Sequence, residues 1–233
     1  MNRFTRRSAM TELIDEPGIP FADWATCLKE LNTVNTLLGG HRITVKGVRQ
    51  LLPHDKRPVS IAEIGCGGGD NLKAIHKWNN NKYPLLYTGV DLNAACIAFA
   101  HEHCSELAGL RLICVDYKKA DFGDQRPDII FSSLFCHHFS DTQLIEMLVW
   151  LKQNAVKGFF INDLQRHPLA FHSIQLLTRL FSRSYLVKND APISVLRGFK
   201  KKEWTTLMLR AGIKNYSIQW NWAFRYLIVV HNE

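Results

Sequence analysis

Residues Val59–Asp70 read VSIAEIGCGGGD. The stretch begins with apolar β-formers and ends in glycines at positions 65, 67, 68 and 69, and the helix-like run NLKAIHKW follows it directly. This order predicts a buried strand, a tight turn and the start of a helix, where open α/β sheets bind their ligands. Glycine suits such a turn because it adopts positive φ angles and leaves room for a ligand beside the backbone.

The spacing of the glycines separates two classes of ligand site. A dinucleotide fingerprint, G-x-G-x-x-G, starting at Gly65 requires glycine or alanine at position 70, where this chain has Asp70. The chain has instead E-x-G-x-G-x-G, from Glu63 to Gly69. The motif therefore argues against a nicotinamide or flavin dinucleotide.

This motif resembles the first motif of class I S-adenosylmethionine-dependent methyltransferases. The resemblance implies S-adenosyl-L-methionine as cofactor and S-adenosyl-L-homocysteine as its product. It also implies that Asp91, at the end of LLYTGVD, binds the ribose hydroxyls, and that Asp116, at the end of LRLICVD, lies near the adenine amine. The candidate cofactor-binding residues are Glu63, Gly65, Cys66, Gly67, Gly69, Asp91, Leu92, Asp116, Tyr117 and Ser133.

The composition is that of a globular protein with one large core. The chain has 233 residues, of which 46% are hydrophobic, and its apolar runs are too short for a membrane span. The N-terminus has arginines without a following apolar segment, which argues against a secretory signal. Six scattered cysteines without a CxxC pair imply neither a disulfide framework nor a metal site, and they favour the cytoplasm.

The formal charge of +8 is unevenly distributed. Residues 1–58 carry +3, residues 59–151 carry −4 and residues 152–233 carry +9. A basic C-terminal third suits nucleic acid, a membrane surface or an acidic protein, and it also suits an ordinary solvated face.

Strand-like and helix-like segments alternate along most of the chain. The expected strands are 59–64, 85–91, 110–116, 127–134, 156–163, 214–222 and 224–232. Helices are expected at 70–79, 93–108 and from Asp141, with Ser140 or Asp141 as the cap. The pattern predicts an α/β fold with a Rossmann-like, seven-stranded, mostly parallel sheet that ends in an antiparallel hairpin.

Two segments depart from this alternation. Residues 1–58 contain amphipathic helices and are expected to form an N-terminal cap, whose Phe21 and Trp24 are candidates for lining a pocket or for core packing. Residues 59–233 form the expected methyltransferase domain, with residues 164–200 as a lid insertion. In this insertion a helix is expected from Pro168, followed by a loop at RSYLVKNDAPISVLRGF. A further helix is expected after the insertion, at KKKEWTTLMLRAG.

Histidines after two strands are the candidate catalytic residues. His137 and His138 follow the fourth strand and His167 follows the fifth, at the sheet edge where reacting groups collect. A histidine there suits a general base that ionises a hydroxyl acceptor near neutral pH. His101, His103 and Cys104 do not form a metal site in this interpretation, because residues two apart on a helix do not face each other.

Two missing nucleic-acid methylase motifs and a resemblance to a second group of methyltransferases indicate the class of acceptor. The segment SSLF after strand four lacks the [D/N]-P-P-[Y/F] motif of adenine methylases, and no Pro-Cys nucleophile is present there. The runs ELIDEPGIPFADWATCLKELNTVNTLLGGHR, INDLQRHPLA and NDAPISVLRGF resemble methyltransferases of aromatic polyketide and aryl-polyene pigment biosynthesis. This resemblance implies a small aromatic acceptor methylated on oxygen or carbon, and an acidic carrier protein as a candidate partner. An RNA methyltransferase and a non-catalytic binding protein are the alternatives.

Overall fold

The computed structural model describes residues 3–53, 57–123 and 126–232. Its strands are β1 Val59–Ile64, β2 Leu85–Asp91, β3 Arg111–Cys114, β4 Ile129–Ser133, β5 Gly158–Leu164, β6 Tyr216–Asn221 and β7 Arg225–His231. Its α-helices are α1 Phe21–Leu37, α2 Gly40–Leu51, α3 Asp70–Asn79, α4 Ala94–His103, α5 Asp141–Asn154, α6 Pro168–Phe181, α7 Tyr185–Arg197 and α8 Lys201–Arg210. None of the helices described has both the length and the apolar character needed to cross a membrane.

The strands form one sheet in the order β3-β2-β1-β4-β5-β7-β6. Strands β1 to β5 pair in parallel, whereas β7 lies antiparallel between β5 and β6. This arrangement confirms the predicted Rossmann-like sheet with a terminal hairpin. The strand order reverses between β1 and β4, and ligands in such sheets bind outside the carboxyl ends of the strands at this point.

The two faces of the sheet bury separate apolar clusters. On one face, α5 and α8 pack Leu144 and Trp204 against Phe159. On the other face, α2 and α3 cover Phe131 and Phe160, whose rings stack 4.8 Å apart. A β-carbon on Gly47 of α2 would lie 2.5 Å from the Phe160 ring, so glycine is needed for this close approach. Helix α2, which lies within the expected cap, is therefore part of the sheet's own packing.

Local signals set several helix boundaries. Gly69, with φ +77, precedes α3. Of the two expected caps of α5, the structure has Ser140, which forms a capping box with Gln143. The expected helix at 93–108 is shorter in the structure, because α4 ends at His103 and turns follow it.

The prediction of a loop at RSYLVKNDAPISVLRGF is wrong, because this stretch contains helix α7. Pro192 lies inside the helix, where it removes one backbone donor. The Ser184 hydroxyl caps the helix start by accepting from the Val187 N–H, and eight of the thirteen helix residues are buried. Tertiary burial therefore outweighs the helix-breaking tendency of the proline.

The N-terminal residues contact the 164–200 segment directly. The carboxylate of Asp190 on α7 accepts hydrogen bonds from the backbone N–H groups of Leu13 (2.8 Å) and Ile14 (2.9 Å). Glu30 on α1 accepts from the backbone N–H groups of Arg183 and Ser184. These contacts join the N-terminal residues to the 164–200 segment.

Candidate active site

The glycine turn after β1 has the backbone geometry that the sequence indicates. Gly65, Gly67 and Gly69 have φ angles of +67°, +51° and +77°. At Gly65 an added β-carbon would also lie 2.3 Å from the Phe135 ring. The left-handed backbone therefore disfavours any residue but glycine at these three positions. At Gly65 a side chain would also clash with the Phe135 ring.

Asp91, at the end of β2, is tied to this turn. Its Oδ2 accepts from the Gly67 N–H at 2.9 Å, and its Oδ1 accepts from the Asn93 N–H at 2.9 Å. Burial raises the pKa of the Asp91 carboxyl, although both backbone hydrogen bonds oppose this rise. The carboxylate is thus fixed in orientation, and its remaining lone pairs are available to a ligand.

Glu63 lies at the floor of the same turn and is fully buried. Its Oε1 accepts from Asn71 Nδ2 at 2.8 Å, while its Oε2 has no hydrogen-bond partner among the described residues. Burial raises the pKa of the Glu63 carboxyl well above its usual range. A buried carboxylate oxygen without a donor is costly, and a donor on a ligand would satisfy it.

A cavity of about 1130 Å³ opens in front of the turn. Nine of the ten candidate cofactor residues line it, namely Glu63, Gly65, Cys66, Gly67, Asp91, Leu92, Asp116, Tyr117 and Ser133. The tenth, Gly69, lies outside the lining, where an added β-carbon would be 2.5 Å from the sulfur of Cys104. The structure thus brings together residues from the ends of β1, β2, β3 and β4.

The rest of the cavity wall is largely apolar. Part of it comes from the two additions to the sheet, with Trp24 and Leu28 on α1 and Ile174 and Leu177 on α6, and the end of the β6-β7 hairpin adds Trp222. Phe21, the second aromatic candidate of the N-terminal segment, is 48% exposed and is not among the lining residues described.

The histidine pair stands at one end of the cavity, on a short 3-10 helix after β4. Nδ1 of His137 lies 2.8 Å from Oδ1 of the buried Asp163, at the end of β5. Nε2 of His137 lies 3.6 Å from Oε1 of Glu12, and Nε2 of His138 lies 3.9 Å from Glu12 Oε2. Nδ1 of His138 lies 3.2 Å from the carboxylate of Asp15.

The electrostatics of the cluster favour the charged forms of His138 and Asp163. Burial acts to lower the pKa of His138, but the hydrogen bond to Asp15 and the charge of Glu12 outweigh it and raise the pKa. Burial acts to raise the pKa of Asp163, and the neighbouring His137 brings it below its usual range. Both shifts follow from close pairing of opposite charges.

Arg197 fixes the backbone that carries the two histidines. Its guanidinium donates to the carbonyl oxygens of His137 (3.0 Å), His138 (2.6 Å) and Met10 (2.5 Å). The contact with Met10 links the histidine segment to the N-terminal residues that include Glu12.

His167, the third catalytic candidate, is placed elsewhere. It caps α6, where its Nδ1 accepts from the Leu169 N–H, and its ring stacks on Phe224 with centroids 4.8 Å apart. It is not among the described residues that line the cavity.

His103 and Cys104 also serve other contacts. His103 pairs with Asp70 at 2.8 Å, and Cys104 lies under the glycine turn.

Glu12 and Asp15 were missed by the sequence reasoning. They lie more than 120 residues before the histidines that they contact, and although both stand in the run ELIDEPGIPFADWATCLKELNTVNTLLGGHR, the sequence analysis assigns neither a role in the site. Asp163 was recognised only as the end of a strand. The helical pattern of the N-terminal segment gave no signal for these carboxylates, because they precede α1.

The comparisons with known proteins agree with the fold. A family model described as a methyltransferase domain matches residues 61–155. No curated protein sequence matches the chain.

Solved structures share the architecture at low sequence identity. The plantazolicin methyltransferase BpumL, in complex with SAH, is 16% identical, with a TM-score of 0.65, over 91% of this chain and 96% of that one. A putative O-methyltransferase from Nostoc punctiforme is 15% identical, with a TM-score of 0.66, over 97% of this chain and 64% of its own length. Human N-acetylserotonin methyltransferase in complex with SAM is 15% identical, with a TM-score of 0.65, over 91% of this chain and 56% of its own length. This chain thus spans less than two thirds of the last two proteins.

The residues present fit the cofactor that this fold implies. The left-handed glycines leave the backbone open to a ligand, and Glu63 Oε2 is a buried acceptor without a donor at the cavity wall. Asp91 adds an oriented carboxylate at the end of the next strand. Residues 61–155 thus carry a methyltransferase domain, and the chain is an enzyme that takes S-adenosylmethionine as its cofactor.

Proposed function

We propose that this enzyme methylates an oxygen atom of a small aromatic or polyketide-like acceptor. The observation that carries the proposal is the single cavity that joins the glycine turn, an apolar wall and the histidine pair. Its volume exceeds the roughly 300–1,000 Å³ of most small-molecule sites, which leaves space for an acceptor beside the cofactor.

The cofactor is assigned to the end of the cavity at the glycine turn. Asp91 would accept hydrogen bonds from the ribose hydroxyls, Asp116 and Tyr117 would hold the adenine, and the turn from Gly65 to Gly67 would hold the remaining chain of the molecule. When bound, S-adenosylmethionine supplies an electrophilic methyl group, whose bond to sulfur breaks with its electron pair on sulfur as the acceptor oxygen is alkylated.

The acceptor is assigned to the apolar part of the cavity. Trp24, Leu28 and Leu177 would pack on its ring and exclude water. Its hydroxyl would lie against His137 and His138, one of which would take the hydroxyl proton as the oxygen is methylated. Catalysis of this kind depends on holding the two reacting atoms in line, so the walls contribute by positioning. Residues 1–58 and 164–200 supply these walls, and we propose that they act as cap and lid of the domain at 59–233.

Several names among the structural neighbours support an acceptor of this class. They include a putative O-methyltransferase, a pyocyanin biosynthetic protein and a plantazolicin methyltransferase. The basic C-terminal third fits an acidic carrier protein that delivers the acceptor, because complementary charge speeds association.

The test is methyl transfer from radiolabelled S-adenosylmethionine by the purified full-length chain. We expect label in free phenols and in phenolic polyketides, with the new methyl group on oxygen by mass spectrometry and NMR. Label in total RNA and none in any phenol would instead favour an RNA methyltransferase, as would RNA affinity that falls steeply with salt. Tight cofactor binding without transfer to any acceptor would indicate a non-catalytic binding protein.

A further inference from the structure

We propose that Glu12, His137 and His138, which all line the cavity, form a binding site for one divalent transition-metal ion of the zinc type. Their ligand atoms, one carboxylate oxygen and two imidazole nitrogens, all lie within 4.8 Å of one another. Two histidines and one glutamate are a donor set that zinc accepts in catalytic sites, where a fourth position stays open.

The spacing of the atoms is close to that of a formed site. Nε2 of His137 and Nε2 of His138 lie 3.6 Å and 3.9 Å from the two oxygens of Glu12. Ligands that share one zinc ion at about 2.1 Å in a tetrahedron lie about 3.4 Å apart. Shifts on the order of 1 Å, which side-chain torsions of Glu12 and His138 can provide, bring the three atoms onto one ion.

Both imidazoles are oriented as metal-binding histidines are. His137 and His138 each direct Nδ1 at a carboxylate, that of Asp163 at 2.8 Å and that of Asp15 at 3.2 Å. A carboxylate on one ring nitrogen fixes the tautomer that leaves the other nitrogen able to bind a metal. The same pattern on two adjacent rings turns both Nε2 atoms toward the same glutamate.

One carboxylate oxygen of Glu12 is buried without a hydrogen bond among the described residues. The residue is 3% exposed, and its Oε1 has no hydrogen-bond partner among the described residues. Nε of Arg197 lies 3.7 Å from Oε1, but the guanidinium donates its hydrogen bonds to three carbonyl groups instead.

Imidazoles bind a metal in their neutral form, and with both imidazoles neutral the cluster holds more negative than positive charge. Three carboxylates, of Glu12, Asp15 and Asp163, surround the two imidazoles, and Arg197 is the guanidinium that lies near Glu12. Arg7, the next cation, pairs with Asp141 at 2.8 Å and donates to the carbonyl groups of His137 and Phe139. Buried charge needs compensation, and a divalent cation between the three ligands supplies it.

The position gives the ion both access and a role. His137 and His138 also line a second cleft of about 680 Å³, formed with Arg7, Asp15 and Arg197, so the cluster is reachable from outside the main cavity. The open fourth position of the ion would bind the hydroxyl of the acceptor and ionise it. This role rests on the proposed function, whereas the existence of the metal site does not depend on it.

The test measures metal binding directly, on the chelator-treated full-length chain. Isothermal titration with Zn²⁺ gives affinity and stoichiometry, and Co²⁺ gives a visible spectrum that reports the ligand set. The exposed Cys114 is replaced by serine throughout, so that its thiol does not compete for the ion. We expect one equivalent of tightly bound Zn²⁺, and a Co²⁺ spectrum of nitrogen and oxygen ligands without thiolate bands.

Variants locate the site. Glu12→Gln should weaken Zn²⁺ binding about 100-fold, and Asp15→Asn, which alters only the support of His138, about 10-fold. His103→Gln is the matched control, because His103 also pairs with a carboxylate, Asp70 at 2.8 Å, but belongs to no group of three metal ligands among the residues that the structure describes. It should bind Zn²⁺ as tightly as the parent protein.

Two results would overturn the proposal. One is absence of a stoichiometric Zn²⁺ site in the parent protein, and the other is equal affinity in the parent and in Glu12→Gln. Unchanged S-adenosylhomocysteine affinity shows that Glu12→Gln is folded. If Glu12→Gln does not fold, the variants Asp15→Asn and His138→Gln take its place in the zinc titration. Zinc binding without methylation of any phenol would support the metal site and refute the proposed function. Methylation of a phenol without zinc binding would support the proposed function and refute the metal site.

Discussion

The Oδ2 atom of Asp91 accepts a 2.9 Å hydrogen bond from the backbone N–H of Gly67. The two residues lie on consecutive β-α turns at the carboxyl edge of the sheet, and both line the cavity. The contact therefore holds the glycine turn and the carboxylate in one fixed arrangement before any ligand arrives.

Asp91→Ala should weaken cofactor binding strongly. The variant loses the carboxylate that we assign to the ribose hydroxyls and also loses the bond to Gly67. Hydrogen bonds to a charged group contribute roughly 1.5–3 kcal/mol each, so the dissociation constant of S-adenosylhomocysteine should rise by about 10-fold to 150-fold. Calorimetry measures this change, with the exposed Asp121→Ala as control. Unchanged affinity in Asp91→Ala would remove Asp91 from the cofactor site.

Gly67→Val should separate backbone strain from cavity blockage. Gly109 also has a positive φ, +75°, and a β-carbon there would meet nothing within 4 Å, so Gly109→Val is the matched control. Each variant should lose about 1–2 kcal/mol of unfolding free energy, because valine resists left-handed backbone. Only Gly67→Val should also lose cofactor affinity, since Gly67 lines the cavity. Equal affinity in both variants would contradict the assigned position of the cofactor.

Asp128→Asn should destabilise the protein in a pH-dependent way. Burial acts to raise the pKa of Asp128, but the Ser60 N–H (3.0 Å) and Arg57 (2.6 Å) outweigh it and bring the pKa below the ordinary 3.8. A lowered pKa means that the charged form stabilises the fold above about pH 3.8, and that this contribution is lost as the pH falls through the folded-state pKa.

Thermal unfolding at several pH values measures the effect. At pH 7 the Asn variant should be less stable than the parent by about 1–3 kcal/mol, and the difference should shrink below pH 3.8. A difference that is constant with pH would show that the charge of Asp128 contributes nothing.

Asp190→Ala should loosen the N-terminal segment over the cavity. Asp190 is 6% exposed and bonds to the N–H groups of Leu13 and Ile14. Hydrogen exchange of these two amides should become faster, while exchange in β4 and β5 stays slow, because local opening does not require global unfolding. Asp190→Asn retains an acceptor oxygen and should have a smaller effect. Equal exchange in all three proteins would show that other contacts hold the segment.

Charge reversal of Lys200, Lys201 and Lys202 to glutamate tests the acidic carrier partner. All three side chains are exposed at the start of α8, where acidic residues suit the helix dipole, so stability should not fall. Turnover of an acceptor attached to a carrier protein should slow, more so at low salt, while turnover of a free phenol stays constant. An equal effect on both acceptors would argue against a carrier interface at this cluster.

The sequence by itself determined the sheet and the cofactor end of the site. Runs such as VSIAEI and LLYTGVD are apolar enough to be buried strands in any context, and glycines at 65, 67 and 69 fit few structures other than a ligand turn. Local patterns of this kind act through neighbouring residues, so they are readable along the chain. The same holds for the capping box at Ser140.

The tertiary structure alone decided the helix at 185–197 and the histidine cluster. Pro192 weakens the local signal for α7, and the helix forms because its other side chains are buried against the N-terminal segment and the sheet edge. Glu12 meets His137 across 125 residues of sequence, and no local pattern marks a carboxylate for that contact. Ion pairs between residues distant in sequence depend on which surfaces pack together in the folded chain. Burial at those surfaces removes the water that would otherwise solvate each charge separately, so the charged groups must pair with each other.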